Sequence, residues 1–398
     1  MSERVWREIR LSQEEKLGPR AMLSRNSKGR LVPEPECSVR SIFERDSNRI
    51  LYSEDFRRLR HKTQVFFNAK NDHVCTRMEH VLYVNSIATT IGRTLGLNQD
   101  LISAIALGHD IGHAPFGHSG EKTLDKCLRD VNPSLSFRHE YHSLRVVDRL
   151  STRISHEKIL SKCGLNLTYE VRDGIVSHCG ENLQEYVLRP DFGKDPDAIY
   201  TDEHRNLMPA TFEGCVVRLV DKIAYVGRDI EDAIRAKLMD YSAIPGEVKN
   251  TLGSTNGEMI NRLVEDMLEN SYERDEIRLS TECGEALKEM INVNYKMIYK
   301  AEVIRRYEAN ANNVIEGLFT AVYGRVRNYI ERSEEKPDSG VICVDGIVPS
   351  DRLDSRLLDY IKEKAYEKGT LPEQITVDYI AGMTDAYALS IFEELYWL

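Results

Sequence analysis

Histidine is concentrated in one part of this 398-residue sequence. Eight of the eleven histidines lie between positions 61 and 142, where an even spread would place roughly two or three. The same stretch carries apolar residues at helical spacing, namely Val81, Leu82, Val84, Ile87, Ala88, Ile91 and Leu95. This combination predicts a helical fold that supports a site built from imidazoles.

The helical pattern continues along most of the chain. Asn98 is expected to cap a helix that runs through Ala106, and the loop GHAPFGHSG then ends it. Another helix is expected to begin near Gly120. Further helices are predicted at 138–150, 169–178, 210–238, 258–331 and 378–398. No reliable alternation predicts a sheet, although GVICVDGIV, near 340–348, is compatible with a short strand or a buried connection. The predicted fold class is therefore all-α.

Three regions follow from these breaks. Residues 1–60 are polar and irregular, and we interpret them as an N-terminal arm with the start of the core. Residues 61–240 form the predicted catalytic core, and 241–398 form a C-terminal helical region. The segment IPGEVKNTLGSTNG, near 244–257, is interpreted as an exposed connection between the last two.

Composition excludes several classes of protein. A formal net charge of −10 argues against a protein that coats nucleic acid without sequence preference, although it does not exclude a local basic groove. No apolar run predicts a membrane span, and the charged N-terminus is unlike a signal peptide. The eight cysteines contain no C-x-x-C pair, which argues against a thiolate zinc site. Scattered cysteines in a chain of this length indicate reduced thiols and a cytoplasmic location.

Four residues have the chemistry of a metal site. His109 and Asp110 are adjacent and offer a nitrogen and an oxygen to one ion, and His80 lies on the preceding predicted helix. Asp221 lies in a largely apolar segment, where a buried carboxylate needs a cation or strong hydrogen bonds. An ion pair of Asp221 with Arg218 or Lys222 is the alternative.

These residues match the H…HD…D signature, and the sequence resembles HD-domain phosphohydrolases, most closely the deoxynucleoside triphosphate triphosphohydrolases or dGTPase-like family. Met78 and Glu79 depart from the Leu and Thr that are common before the histidine. The resemblance implies an HD-domain helical core in which His80, His109, Asp110 and Asp221 bind a metal. The supporting segments are FRRLRHKTQVF (56–66), TRMEHVLYV (76–84), HDIGHAPFGHSGE (109–121), HEYHS (139–143), DKIAYVGRDIED (221–232) and DYIAGMTDAYA (378–388).

One divalent ion is expected in each active site. Two imidazoles and two carboxylates occupy four positions of an octahedral ion and leave two for water and a phosphate oxygen. Mn²⁺ is the ion we expect, with Fe²⁺, Co²⁺, Ni²⁺ and Zn²⁺ as alternatives, and Mg²⁺ suits two imidazoles less well. Such an ion would polarise the α-phosphate.

Three residues are predicted to act on protons. His118 and Glu121 are three apart and share a helical face, and the resemblance implies that they activate the attacking water. A helix-capping pair is the alternative. His139 resembles the family histidine near the leaving 5′ oxygen and is a candidate general acid. His113 is expected to touch phosphate, with a structural role as the alternative, and His142 is interpreted as structural.

The substrate contacts come from the same resemblance. Tyr225 and Asp229 share the face of Asp221 and are implied to contact deoxyribose, while Lys222 is implied to contact phosphate. The alternative is that Tyr225 packs in the core and that Asp229 forms a surface ion pair with Arg228. Arg77 is implied to bind the triphosphate, and Gln64 could contact a base or sugar edge. No P-loop motif is present in the sequence.

The predicted function is metal-dependent hydrolysis of dGTP or several dNTPs to deoxynucleoside and tripolyphosphate. The alternatives are another HD phosphohydrolase reaction, on nucleoside monophosphates or cyclic nucleotides, and a nucleotide or single-stranded DNA sensor. Partners compatible with the resemblance are an allosteric dNTP, single-stranded DNA and further copies of the chain in a hexamer or tetramer.

Overall fold

The fold is helical. A computed structural model describes residues 4–63, 75–152, 164–179, 185–201, 204, 208–334 and 340–396. These residues contain sixteen α-helices and one two-stranded antiparallel sheet, in which β1 (Val187–Leu188) pairs with β2 (Ile277–Arg278). The predicted all-α class is confirmed. The helices are α1 Arg4–Glu14, α2 Ile42–Leu51, α3 Glu54–Arg58, α4 Arg77–Thr94, α5 Gln99–Gly108, α6 Gly117–Val131, α7 His139–Arg145, α8 Tyr169–Val176, α9 Phe212–Arg235, α10 Gly246–Leu252, α11 Asn256–Ser271, α12 Thr281–Asn294, α13 Glu302–Glu334, α14 Arg352–Lys364, α15 Pro372–Ala381 and α16 Asp385–Tyr396.

Helix α5 is the centre of the N-terminal half. It packs against α2, α4, α8 and α9, and every residue from Leu101 to Leu107 is buried except the half-buried Ser103. The contact with α8 is close because Gly108 and Gly174 lie in it. A Cβ added to either glycine would come within 2.5 Å of an isoleucine methyl group on the other helix. The C-terminal ends of α5 and α8 therefore lie side by side.

Helices α4 and α9 bring two distant parts of the chain together. The N-terminus of α4 is held by a capping box, in which Thr76 and Glu79 each bind the other's backbone amide. Helix α9 begins at the N-cap Thr211 and packs along both α4 and α5. This packing places the first turn of α4 beside the middle of α9.

The C-terminal helices pack onto the N-terminal half. The long helix α13 contacts α6, α15 and α16, and Asn312 on α13 accepts hydrogen bonds from Ser119 (2.8 Å) and Thr123 (2.6 Å) on α6. Asp385 at the start of α16 accepts one from the backbone amide of Phe116 (3.0 Å). The C-terminal region thus supports the loop that precedes α6.

Several local predictions were wrong. The arm at 1–60 contains α1, α2 and α3, since Ser41 and Ser53 cap the last two. The connection predicted at 244–257 contains α10 and the start of α11. At 340–348 the predicted strand is absent and the predicted buried connection is present, since Ile342 and Val344 are buried and one isolated bridge joins Val341 to Glu367. Among the described residues, no helix is both long enough and apolar enough to cross a bilayer.

Candidate active site

Four side chains from α4, α9 and the end of α5 converge. His80 Nε2 lies 2.9 Å from Asp221 Oδ1, and His109 Nε2 lies 3.7 Å from the same oxygen. Ligand atoms of His80, His109 and Asp110 lie within 4.8 Å of one another. The structure therefore brings together all four residues of the predicted metal set.

The donors of this set suit a divalent ion. His109 Nδ1 donates to the Ala106 carbonyl at 2.7 Å, so its other nitrogen carries the lone pair. That nitrogen, Nε2, is buried and has no hydrogen-bond partner among the described residues. A buried acceptor left unpaired costs free energy unless a cation or a proton donor reaches it. The alternative pairing of Asp221 with Arg218 is absent, because Arg218 binds Ser177 and Glu185.

Arg77 adds a buried positive charge beside the metal set. Its Nη1 donates to Asp110 Oδ2 at 2.6 Å. Burial alone would raise the pKa of Asp110, but the Arg77 guanidinium holds that pKa well below its usual range. The Nε and Nη2 atoms of Arg77 are buried and have no hydrogen-bond partner among the described residues. This guanidinium can thus donate hydrogen bonds to an anionic oxygen of a ligand.

The loop between α5 and α6 is held from both sides. Ser143 on α7 donates to the His109 carbonyl (2.8 Å) and accepts from the Gly112 amide (2.9 Å). His142 donates to the Gly112 carbonyl at 2.9 Å, and buried Lys62 donates to the carbonyl of His113. His109 and His113 are therefore positioned by contacts to the backbone of this loop.

Glu121 holds His139 more closely than His118. Its Oε1 accepts from the backbone amide of His139 at 2.8 Å and from His139 Nδ1 at 3.0 Å. His118 Nδ1 lies 3.4 Å from Oε2, and the His118 side chain is 61% exposed. The spacing of three residues did place His118 and Glu121 on one helix, α6, which begins at Gly117. The structure adds that the carboxylate serves two imidazoles.

His113 and His139 stack against each other. Their ring centroids are 4.3 Å apart and their planes differ by 20°. His113 is fully buried, and neither of its ring nitrogens has a hydrogen-bond partner among the described residues. Burial acts to lower the pKa of His139, but the Glu121 carboxylate raises that pKa well above its usual value. These rings line one side of the metal set.

Two further residues of this site escaped the sequence analysis. His178 follows α8, and its Nε2 lies 3.3 Å from His139 Nε2. Cys179 Sγ lies 3.2 Å from His178 Nε2 and 3.3 Å from His139 Nε2. The sequence signal that could have indicated His178 is its position at the end of the predicted helix 169–178, since His109 likewise lies just after a predicted helix.

The predicted sugar face of α9 lies beside the metal set. Tyr299 donates a short hydrogen bond to buried Asp229, and burial raises the pKa of Asp229 to about 7. The alternative surface pair is absent, since Arg228 binds Glu231 at 3.1 Å. Tyr225 lies near Asp229 and Asp221, and burial together with those carboxylates raises the pKa of its hydroxyl.

Two more predicted substrate contacts have different outcomes in the structure. Lys222 is buried, and its Nζ lies 3.4 Å from the Glu185 carbonyl. Burial lowers the pKa of Lys222, with Arg218 acting in the same direction. Gln64 lies outside the described residues.

Tyr299 was missed by the sequence analysis because it lies in a π-helical turn, Tyr295–Tyr299, far along the chain from α9.

Comparisons with known proteins agree with this geometry. The HD domain family matches residues 77–226. A deoxyguanosinetriphosphate triphosphohydrolase-like protein of Caldanaerobacter subterraneus is 38% identical over 96% of this chain and 92% of its own length. Proteins of the same description from Clostridium tetani and Rickettsia felis are 33% and 30% identical, over 95% and 93% of this chain and 92% and 95% of their own lengths.

Proposed function

This chain belongs to the deoxyguanosinetriphosphate triphosphohydrolase-like family of HD-domain hydrolases, and on that premise we propose that it hydrolyses deoxynucleoside triphosphates to deoxynucleoside and tripolyphosphate. The observation that carries the proposal is the position of Arg77. Two of its guanidinium nitrogens are buried beside the four-residue metal set and have no hydrogen-bond partner in the described part of the chain. An anionic phosphate chain could therefore be bound within reach of a metal ion and of the His118–Glu121–His139 group.

The metal residues in the proposal are His80, His109, Asp110 and Asp221. HD domains depend on metal ions, and a divalent ion bound here would act as a Lewis acid toward a phosphate oxygen. We propose Mn²⁺ as the ion, because a mixed set of imidazoles and carboxylates suits it. Arg77 would contribute further positive charge to the triphosphate, and Lys222 and His113 are proposed as additional phosphate contacts.

The proposed reaction is a displacement at the α-phosphorus. A water oxygen forms a bond to phosphorus, the bond from phosphorus to the 5′ oxygen breaks, and the 5′ oxygen ends with a proton. We assign His118, positioned by Glu121, to accept the proton of the attacking water. We assign His139 to the leaving oxygen, because Glu121 and the stacked His113 fix its ring. Tyr225 and Asp229 are proposed to contact the deoxyribose.

Product analysis in ¹⁸O-labelled water tests this reaction. The purified chain is incubated with Mn²⁺ and each dNTP, singly and in pairs. The products are then separated and their masses are measured by mass spectrometry. Intact tripolyphosphate that carries one ¹⁸O, with unlabelled deoxynucleoside, is the expected result. Orthophosphate, pyrophosphate or label in the deoxynucleoside would contradict it. Turnover of nucleoside monophosphates or cyclic nucleotides, with dNTPs untouched, would favour the other HD reactions.

Assembly and regulation are part of the same proposal. The pairwise dNTP mixtures show whether one nucleotide activates hydrolysis of another. Light scattering with and without dNTP tests for a hexamer or tetramer of this chain. Titration with a labelled single strand tests for DNA binding, which the net charge of −10 makes dependent on a local basic surface.

A further inference from the structure

A second group of nitrogen and sulfur atoms lies next to the predicted metal set His80, His109, Asp110 and Asp221, called the HD residues below. His139 Nε2, His178 Nε2 and Cys179 Sγ form a nearly equilateral triangle, with sides of 3.3, 3.3 and 3.2 Å. His139 and His178 are buried and Cys179 is partly buried. The three atoms come from α7 and from the segment that follows α8, two elements that pack on each other.

Both imidazoles are oriented with Nε2 toward the centre of this triangle. His178 Nδ1 lies 2.6 Å from the Ile175 carbonyl, and His139 Nδ1 lies 3.0 Å from the Glu121 carboxylate. Each Nδ1 therefore carries a hydrogen, and in a neutral ring Nε2 is then the acceptor. Two acceptor nitrogens at 3.3 Å repel each other unless a cation or a proton lies between them. Metal-binding histidines characteristically donate their other ring nitrogen to a carbonyl or carboxylate.

The dimensions of the triangle match a zinc ion. In a triangle with sides of 3.2–3.3 Å the centre lies about 1.9 Å from each corner. Zinc binds imidazole nitrogen at about 2.0–2.1 Å and thiolate sulfur at about 2.3 Å, so an ion slightly out of the plane would reach all three atoms. We propose that His139, His178 and Cys179 bind a second divalent ion of the zinc class, separate from the ion of the HD residues.

The fourth coordination position of this ion would be open. A cavity of about 440 Å³ is lined by His139 and Cys179 together with His118 and Glu121. Zinc sites with three protein ligands and an open position are typically catalytic, since water or substrate completes the coordination. The ion would therefore lie in this cavity beside His118 and Glu121, and while it is bound His139 Nε2 is a ligand and cannot protonate the leaving oxygen of the proposed reaction. Binding of the ion does not itself depend on that reaction.

Metal counting on variants tests the second site. The purified chain is saturated with Co²⁺, dialysed, and measured for metal per chain and for the near-ultraviolet charge-transfer band from thiolate to cobalt. Two ions per chain and a thiolate band are expected. Cys179→Ala and Cys179→Ser should each retain one ion and lose the band. Cys127→Ala, which removes a partly buried cysteine on α6, is the matched control and should retain both.

A fourth variant separates this site from the HD site. Among the described residues His80 contacts Asp221 and His109 and none of the three proposed ligands, so His80→Ala should lose the HD ion and keep the thiolate band. One ion per chain in the wild type, or a band that survives Cys179→Ala, would overturn the proposal. A proton shared between His139 and His178 would then account for their contact. Two bound ions without dNTP hydrolysis would instead contradict the proposed function alone.

Discussion

His109 and His178 each form the same kind of local hydrogen bond, at the ends of two neighbouring helices. Each ring donates from Nδ1 to the carbonyl three residues earlier, of Ala106 at 2.7 Å and of Ile175 at 2.6 Å. Their ring centroids are 4.9 Å apart. Both Nε2 atoms therefore face the active site, because the close packing of α5 on α8 brings the two rings together.

Removal of one anionic metal ligand should remove the HD ion. Asp110→Asn retains an oxygen that can accept from Arg77, so the fold should survive, but the negative charge is lost. We expect affinity for the HD ion to fall by more than the roughly 10–100-fold typical of losing an outer-sphere partner, and dNTP hydrolysis to fall with it. Elemental analysis and circular dichroism measure both effects. The exposed control Asp240→Asn should change neither. Full metal occupancy in Asp110→Asn would exclude this carboxylate from the site.

Glu121 should contribute at least as much to the rate of hydrolysis as His118 does. His118→Ala should lower single-turnover hydrolysis by about 10²–10⁴-fold, the usual contribution of a positioned base, and leave the HD ion bound. Because Glu121 holds both imidazoles, Glu121→Gln should lower the rate by at least as much. The double variant should be little slower than the worse single variant, since residues that act as a unit are not additive. Loss of the HD ion in His118→Ala would instead identify His118 as a ligand.

Tyr225 should select the deoxyribose. A ring packed against the sugar excludes a 2′ hydroxyl more strongly than a loose apolar pocket does. We expect Tyr225→Ala to narrow the ratio of kcat/KM for dGTP over GTP by about tenfold or more. The highly exposed Tyr52 provides the control, and Tyr52→Ala should leave that ratio unchanged. Equal turnover of dGTP and GTP by the wild type would show that no residue of this face selects the sugar.

Buried Glu213 should make folding stability depend on pH. Burial raises its pKa to about 7, although the backbone amides of Asn98 and Met22 donate to it at 3.0 and 2.9 Å and act in the opposite direction. The folded state thus binds a proton that the unfolded state releases near its ordinary pKa. Between these two values stability falls as pH rises, by up to roughly 3 kcal/mol above pH 7.

Glu213→Gln keeps an acceptor for both amides and has no charge to bury. Urea unfolding between pH 4.5 and 8 should therefore show a shallower loss of stability in this variant than in the wild type. The exposed control Glu247→Gln should follow the wild type. Parallel curves for Glu213→Gln and the wild type would show that Glu213 does not titrate in this range.

Sequence reasoning worked where the signal was local. Periodicity predicted α4, α5 and α9, and Asn98 was correctly expected to cap α5, because helical spacing and a capping side chain act over a few residues. It was wrong in the first 60 residues, where short capped helices alternate with irregular backbone and carry little periodicity. The H…HD…D motif predicted which four residues converge, and membership of the family is confirmed by the relatives.

By itself, therefore, the sequence determined the helical class, the family and the four HD residues, since each is written in residue type and spacing. Only the tertiary structure decided that Glu121 binds His139, which is separated from it by the end of α6 and a connection. It also decided that His178 and Cys179 join the site. Their position depends on the approach of Gly108 and Gly174, where missing side chains let α5 and α8 touch. Such a contact joins residues distant in the chain, and no local pattern records it.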